Sequence, residues 1–143
     1  MNHRNLDDIK IHVKLKLAFL WASVMFCFIY GDYFGLYVPG QLKGMLDGQG
    51  PLGPTSQSSL AIVAALLAIP GLMVFLSVAL APSVSRWLNI VFGLLYTLFV
   101  LITMPGAWAF YILMSIIEVL LTVLIVWYAW TWPKSNGGET IGA

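Results

Sequence analysis

Tyr111-Ile-Leu-Met-Ser115-Ile-Ile-Glu118-Val-Leu-Leu-Thr122 lies inside the last of four long apolar runs, and Glu118 is the one acid in that run. At about 100° per residue, positions 111, 115, 118 and 122 fall within roughly 60° of one another on a helix. A carboxyl group at mid-membrane costs about 2.5–3.5 kcal/mol on insertion scales, so this stripe is expected to face protein or water rather than lipid.

The rest of the chain agrees with a membrane setting. Its 143 residues are 60% hydrophobic and 9% charged, with a mean hydropathy of +0.90. Soluble domains carry about 25% charged residues, and a fold of this size has too little interior to hide so much apolar surface. The expectation is an integral membrane protein of one domain, all-α, a transmembrane four-helix bundle.

Four spans are read at about residues 17–38, 59–81, 86–104 and 107–132. Each is long enough for a hydrocarbon core of about 30 Å. Pro39-Gly40 ends the first, because proline disfavours helix before it and glycine accepts the turn. Residues 39–58, rich in Gly and Pro, form the one long loop, in which Gln41–Leu46 suits a short turn of helix. In the second span, Pro70 is expected to kink the helix and release the carbonyl of Leu66, four residues back. Pro82–Ser85 reads as a tight turn, Pro105-Gly106 as the next. Trp127-Tyr-Ala-Trp-Thr-Trp132 has the make-up of an aromatic belt at headgroup level.

Residues 1–16 read as a basic helical lead-in lying at the headgroups, with Asn5 or Asp7 as its cap. Residues 133–143 read as a disordered polar tail. Arg4, Lys10, Lys14 and Lys16 precede the first span, Arg86 lies between the second and third, and Lys134 follows the fourth, while the long loop holds Lys43. Six cations against one orient both termini to the cytoplasm.

Composition also excludes functions. A net charge of +1 offers no face for nucleic acid. The one cysteine, Cys27, excludes an internal disulfide and Cys-x-x-Cys chemistry. His3 and His12 both precede the first span, so intramembrane metal or bis-histidine haem ligation has no residues to use. No Ser-His-Asp set or phosphate-cradling glycine loop is present. No cofactor is called for.

What remains are polar groups at membrane depth. At about 1.5 Å per residue, Glu118 lies about 18 Å into its span and Tyr96 about 15 Å into the third, close to the midplane. Cys27 and Tyr30 reach comparable depth from the other side, and Pro70 is similarly deep. Ser23, Cys27, Tyr30, Tyr33 and Tyr37 share one face of the first span; Asp32 shares the opposite face with Trp21 and Phe28. Glu118, Tyr96, Tyr30, Asp32, Tyr111, Ser115, Thr122 and Asn89 are therefore the candidates for ligand binding or a proton relay. A second reading has Glu118 hydrogen-bonded to Tyr96 or Tyr30 as interhelical glue, although such bonds average only about 0.6 kcal/mol in a bilayer. Lys43 is a candidate partner for Asp32, and Arg86 is expected to snorkel to lipid phosphate.

Several of these residues also carry a resemblance. Leu6-Asp-Asp-Ile-Lys-Ile-His-Val-Lys-Leu-Lys16, Leu20-Trp21, Tyr30-Gly-Asp32-Tyr and Pro39-Gly40, then Arg86-Trp87-Leu-Asn89, Glu118 and Ile125–Trp132, resemble a group of small bacterial four-span proteins known only as a domain of unknown function. The likeness covers about residues 6–133. It implies four helices and a bacterial cytoplasmic (inner) membrane, and it carries no activity or assigned site. A looser likeness to DoxX-like proteins rests on span count and size.

The resulting expectation is a binding protein that holds a small or lipidic ligand against Glu118 within the bundle, surrounded by the lipid bilayer and working as a homo-oligomer because one bundle has a thin interior. Small multidrug-type transporters pair comparable chains around a membrane glutamate, so a dimeric proton-coupled transporter is the main rival. A membrane-embedded enzyme on a lipid or quinone and an accessory subunit are the other two.

Overall fold

A computed structural model describes residues 9–50 and 53–133. The elements run α1 (Val13–Gly35), α2 (Gln41–Leu46), β1 (Gln49–Gly50), β2 (Gly53–Pro54), α3 (Gln57–Ala79), α4 (Pro82–Thr103) and α5 (Ala109–Trp130). Four helices, α1, α3, α4 and α5, are long and apolar enough to cross a membrane, which makes this an integral membrane protein. The expected caps Asn5 and Asp7, most of the basic lead-in and the polar tail from residue 134 lie outside the described residues.

Local chemistry sets the helix ends. His12, extended at φ −62° and ψ 141°, caps α1 by accepting the Lys14 amide at its Nδ1 over 3.2 Å. Helix therefore begins at Val13, and residues 9–12 are not part of the helical lead-in expected there. At the far end Gly35 closes α1. Pro39 disfavours helix in the residue before it, so the chain leaves through turns that Tyr37 and Val38 close onto Phe34 and Gly35. Gly40, at φ 85°, takes the left-handed conformation that starts α2.

Ser56 and Ser59 form a reciprocal capping box that opens α3 two residues before the expected start. The expected tight turn at Pro82–Ser85 is instead the first turn of α4. Proline at N1 lacks only an N–H that would be orphaned anyway, and its fixed φ suits the helix. Gly106, at φ 78°, turns the chain into α5. In the long loop, Gln41–Leu46 forms the expected short helix, and beyond it β1 and β2 pair antiparallel.

α1 packs against α3 and α5, and α5 also packs against α4, while α3 and α4 touch sparingly. Lipid is as apolar as leucine, so close packing and hydrogen bonds, not a hydrophobic drive, must hold such helices together. Gly93 allows the closest approach: a Cβ there would lie 2.7 Å from Val126 Cγ2 of α5. Beside it, Thr97 Oγ1 donates to the Gly93 carbonyl at 2.7 Å and also lies 2.7 Å from Thr122 Oγ1.

The tight core gathers in one half. Leu17, Trp21 and Val24 of α1 meet Met73 of α3, Ile90 and Tyr96 of α4, and Ile125 and Ala129 of α5. These lie toward the end where α1 and α4 begin and α3 and α5 finish. Asn89 is the polar hub of that half. Its Oδ1 accepts from Trp21 Nε1 at 2.7 Å and Ser77 Oγ at 3.2 Å, and its Nδ2 donates to the Ser85 carbonyl at 2.8 Å and Ser85 Oγ at 3.4 Å. All four hydrogen-bonding positions of the amide are thereby used, joining α1, α3 and α4.

Two cations close the same end. Lys14 Nζ donates to the carbonyls of Val78 (3.2 Å) and Leu80 (2.6 Å) at the end of α3. Arg86 donates from Nε to the Ala129 carbonyl (3.1 Å) and from Nη2 to that of Trp130 (3.3 Å) at the end of α5. Helix C-termini carry orphan carbonyls and the negative end of the dipole, so both are favourable caps. Arg86 thus has a protein partner where lipid phosphate was expected. Lys16 lies over the Tyr128 ring, 5.2 Å from its centroid.

Candidate functional site

The stripe on α5 turns inward. Ser115, Glu118 and Thr122 are all buried, followed by Ile125 and Ala129 at the same helical spacing. Tyr111, at the head of the stripe, is half-buried and donates to Thr103 Oγ1 of α4 over 3.3 Å. Thr122 is fully engaged: besides the Thr97 hydroxyl, its own Oγ1 approaches the carbonyls of Glu118 at 2.9 Å and Val119 at 3.1 Å.

Glu118 and Ser115 differ from these. Glu118 is 5% exposed, and among the described residues nothing donates a hydrogen bond to its carboxyl. Ser115 is 1% exposed, and its Oγ is the one buried side-chain polar atom among the described residues with no partner. A helical serine ordinarily satisfies itself on the carbonyl one turn back, which Ser115 does not do. The two side chains lie one turn apart on the same buried face.

The facing part of α1 carries Asp32. The Trp21, Phe28 and Asp32 face of α1 is the inner one: Trp21 is fully buried and Phe28 packs on the core. Asp32 is itself exposed, beyond the last buried turn. Among the described residues neither this carboxylate nor that of Glu118 accepts a hydrogen bond from a basic side chain: Lys14 and Arg86 donate to main-chain carbonyls at the other end of the bundle. Between Asp32 and the core, Gly31 is buried, yet a Cβ built on it would meet no atom within 4 Å. Open space therefore adjoins α1 at Gly31.

Other candidates go elsewhere. Tyr96 donates its hydroxyl to the Leu66 carbonyl, the oxygen released by Pro70, and so is not a donor to Glu118. Its ring meets Trp21 edge-on at 5.9 Å and Phe28 at 6.0 Å. Tyr30 is 53% exposed on the outer face of α1 and does not join the group; a shallow groove of about 240 Å³ there is lined by Phe26, Ile29, Tyr30 and Tyr33. Asn89 serves the hub in the tight half. A second shallow groove, of about 310 Å³, lies along Ser83, Val84, Trp87 and Leu88. Neither groove includes Glu118.

A family model covers residues 7–138, nearly the whole chain. The chain belongs to DUF6326, a family of unknown function. No curated protein and no solved structure matches it. Membership in DUF6326 brings no assigned chemistry, so the site rests on its own geometry. Sequence reasoning missed the orphaned state of Ser115 and the space at Gly31. The signal available for Gly31 was a helix-interior glycine beside an acid, which is ambiguous without knowing which face turns inward.

Proposed function

We propose that this protein binds a small or lipidic ligand in the looser half of its bundle, with Glu118 as the anchoring group. The observation that carries the reading is Glu118, a residue only 5% exposed whose carboxyl accepts no hydrogen bond among the described residues, one turn from the buried and orphaned Ser115 hydroxyl. Unpaired buried polar groups cost about 1–3 kcal/mol each, more when charged, and a partner from outside the chain removes that cost. The ligand's apolar body lies along the seam where α3 and α4 touch sparingly. Asp32 and the Gly31 space form the approach, and Tyr96, Thr122 and Tyr111 hold the surrounding helices.

In this reading both termini face the cytoplasm of a bacterial cell and the bundle sits in its inner membrane. Lys10, Lys14, Lys16 and Arg86 all lie at one end of the bundle and Lys43 near the other, which supports this orientation. Accessibility labelling of single cysteines at positions 10 and 43, in a Cys27→Ser background, tests it. A homo-oligomer follows from the thin interior of one bundle.

Native mass spectrometry in mild detergent, wild type beside Glu118→Gln, tests the binding reading. A discrete small molecule retained by the wild type and lost in the variant supports it. An empty wild type with the same oligomeric mass in both favours an accessory subunit. The second reading, a dimeric proton-coupled transporter, draws on two acids in succession, Asp32 and Glu118, along the α1–α5 contact. Efflux that follows a pH gradient and stops in Glu118→Gln distinguishes it, and product formation from a lipid or quinone distinguishes an enzyme.

A further inference from the structure

The site described above contains two carboxyl groups, one orphaned hydroxyl and adjoining space, with no cation from the described residues. Each candidate ligand class meets this set differently. An anionic ligand has no basic group to bind and would face two like charges. A neutral hydrogen-bonding ligand satisfies Ser115 and leaves the carboxyl charge uncompensated at a depth where that is costly. A divalent metal needs a denser donor set, and among the described residues no group of three or more His, Cys, Asp or Glu side chains comes together. A quaternary ammonium brings charge but no N–H for the Ser115 oxygen. A protonated amine brings both.

We infer that the ligand is a lipophilic primary ammonium, held by one charge-assisted hydrogen bond to Glu118 and by a second N–H donated to Ser115 Oγ, with Asp32 attracting it at the approach. This rests on the ligand-binding reading of Glu118 and adds the chemical class. An ammonium has three donors and no acceptor, so two can be used on Glu118 and Ser115 while the third remains for Asp32, a backbone carbonyl or water. Its apolar tail belongs in the surroundings that the seam provides. Ser115, buried and unpartnered, is the feature that a purely electrostatic site would not require.

The test uses the full-length protein in dodecylmaltoside micelles and isothermal titration calorimetry with four probes of one chain length: octylammonium, octyltrimethylammonium, 1-octanol and octanoate. Saturable binding of octylammonium, with the other three at least about tenfold weaker, is the expected result. Glu118→Gln lowers octylammonium affinity at least about tenfold, and Ser115→Ala lowers it severalfold without lowering the thermal midpoint. The Ser115→Ala variant keeps the test decisive should Glu118→Gln fold poorly, since it removes an unsatisfied atom.

Equal binding of octanol or octanoate overturns the amine assignment, as does octylammonium affinity unchanged by Ser115→Ala. Absence of saturable octylammonium binding overturns it as well. Retention of an endogenous molecule that depends on Glu118, measured by native mass, stands separately, so the amine assignment can fail while ligand binding survives.

Discussion

The Tyr96 hydroxyl of α4 donates a hydrogen bond to the Leu66 carbonyl of α3, the oxygen whose helical partner Pro70 removes. Proline inside a helix costs about 3 kcal/mol in water, partly through that lost bond, and membrane helices tolerate it where a neighbour re-satisfies the freed group. Tyr96→Phe is expected to lower stability by about 0.6–1.7 kcal/mol, the range measured for intramembrane hydrogen bonds. In a Pro70→Ala background residue 70 regains its N–H and the Leu66 carbonyl its helical partner, so the same substitution costs less. A thermal or denaturant double-mutant cycle in detergent checks this; equal costs in both backgrounds contradict it.

Two buried glycines should respond in opposite directions. Gly31→Ala meets no atom within 4 Å and replaces a poor helix former, so it is expected to stabilise by up to about 1 kcal/mol. Gly93→Ala would put its Cβ 2.7 Å from Val126 Cγ2 and is expected to destabilise by about 1–3 kcal/mol through overpacking. Val126→Ala should recover part of that loss. Thermal midpoints of the three single variants and the Gly93→Ala, Val126→Ala pair decide the matter.

The Asn89 hub predicts a stability defect with no binding defect. Asn89→Leu strands Trp21 Nε1 and Ser77 Oγ, at a cost of about 1–3 kcal/mol per unsatisfied group. Any small molecule that co-purifies in a Glu118-dependent way should remain bound to the folded fraction. Its loss from folded Asn89→Leu would return Asn89 to the site.

Arg86 presents two nitrogens to consecutive carbonyls of α5, a geometry that lysine cannot copy. Arg86→Lys keeps the charge near the helix end but loses the fork. Amide exchange at the end of α5 is expected to quicken in Arg86→Lys and more so in Arg86→Gln, for a total loss of about 0.3–2 kcal/mol. Unchanged exchange in both would mean that the cap contributes nothing.

Much of this architecture is legible in the residues. Four apolar runs imply four spanning helices, the i, i+3, i+7 spacing of Ser115, Glu118 and Thr122 marks an inward face, and Pro70 identifies the freed carbonyl before any contact is known. Other features depend on tertiary placement. Hydropathy cannot tell the inside of a membrane bundle from its outside, since both are apolar; Tyr30 and Tyr96 therefore look equivalent in sequence, though only Tyr96 is buried. Arg86 resembles any interfacial arginine until the end of α5 comes alongside it. Pro82 suits a turn or a first helical residue equally, and the absence of a break before Arg86 decides for helix. The orphaned Ser115 follows from what its neighbours fail to do, which no local pattern records.

The position of α5 bears on how the protein comes to be made. α5 follows α1 and α4 in the chain, packs against both, and supplies the carbonyls for Arg86, the ledge for Gly93 and the partner of Thr97. Until it arrives, α1 and α4 each wait in the bilayer with a prepared face uncovered. Assembly of the bundle is therefore gated by the arrival of α5, and a chain stopped after Met104 would leave α1 and α4 with those faces turned to lipid.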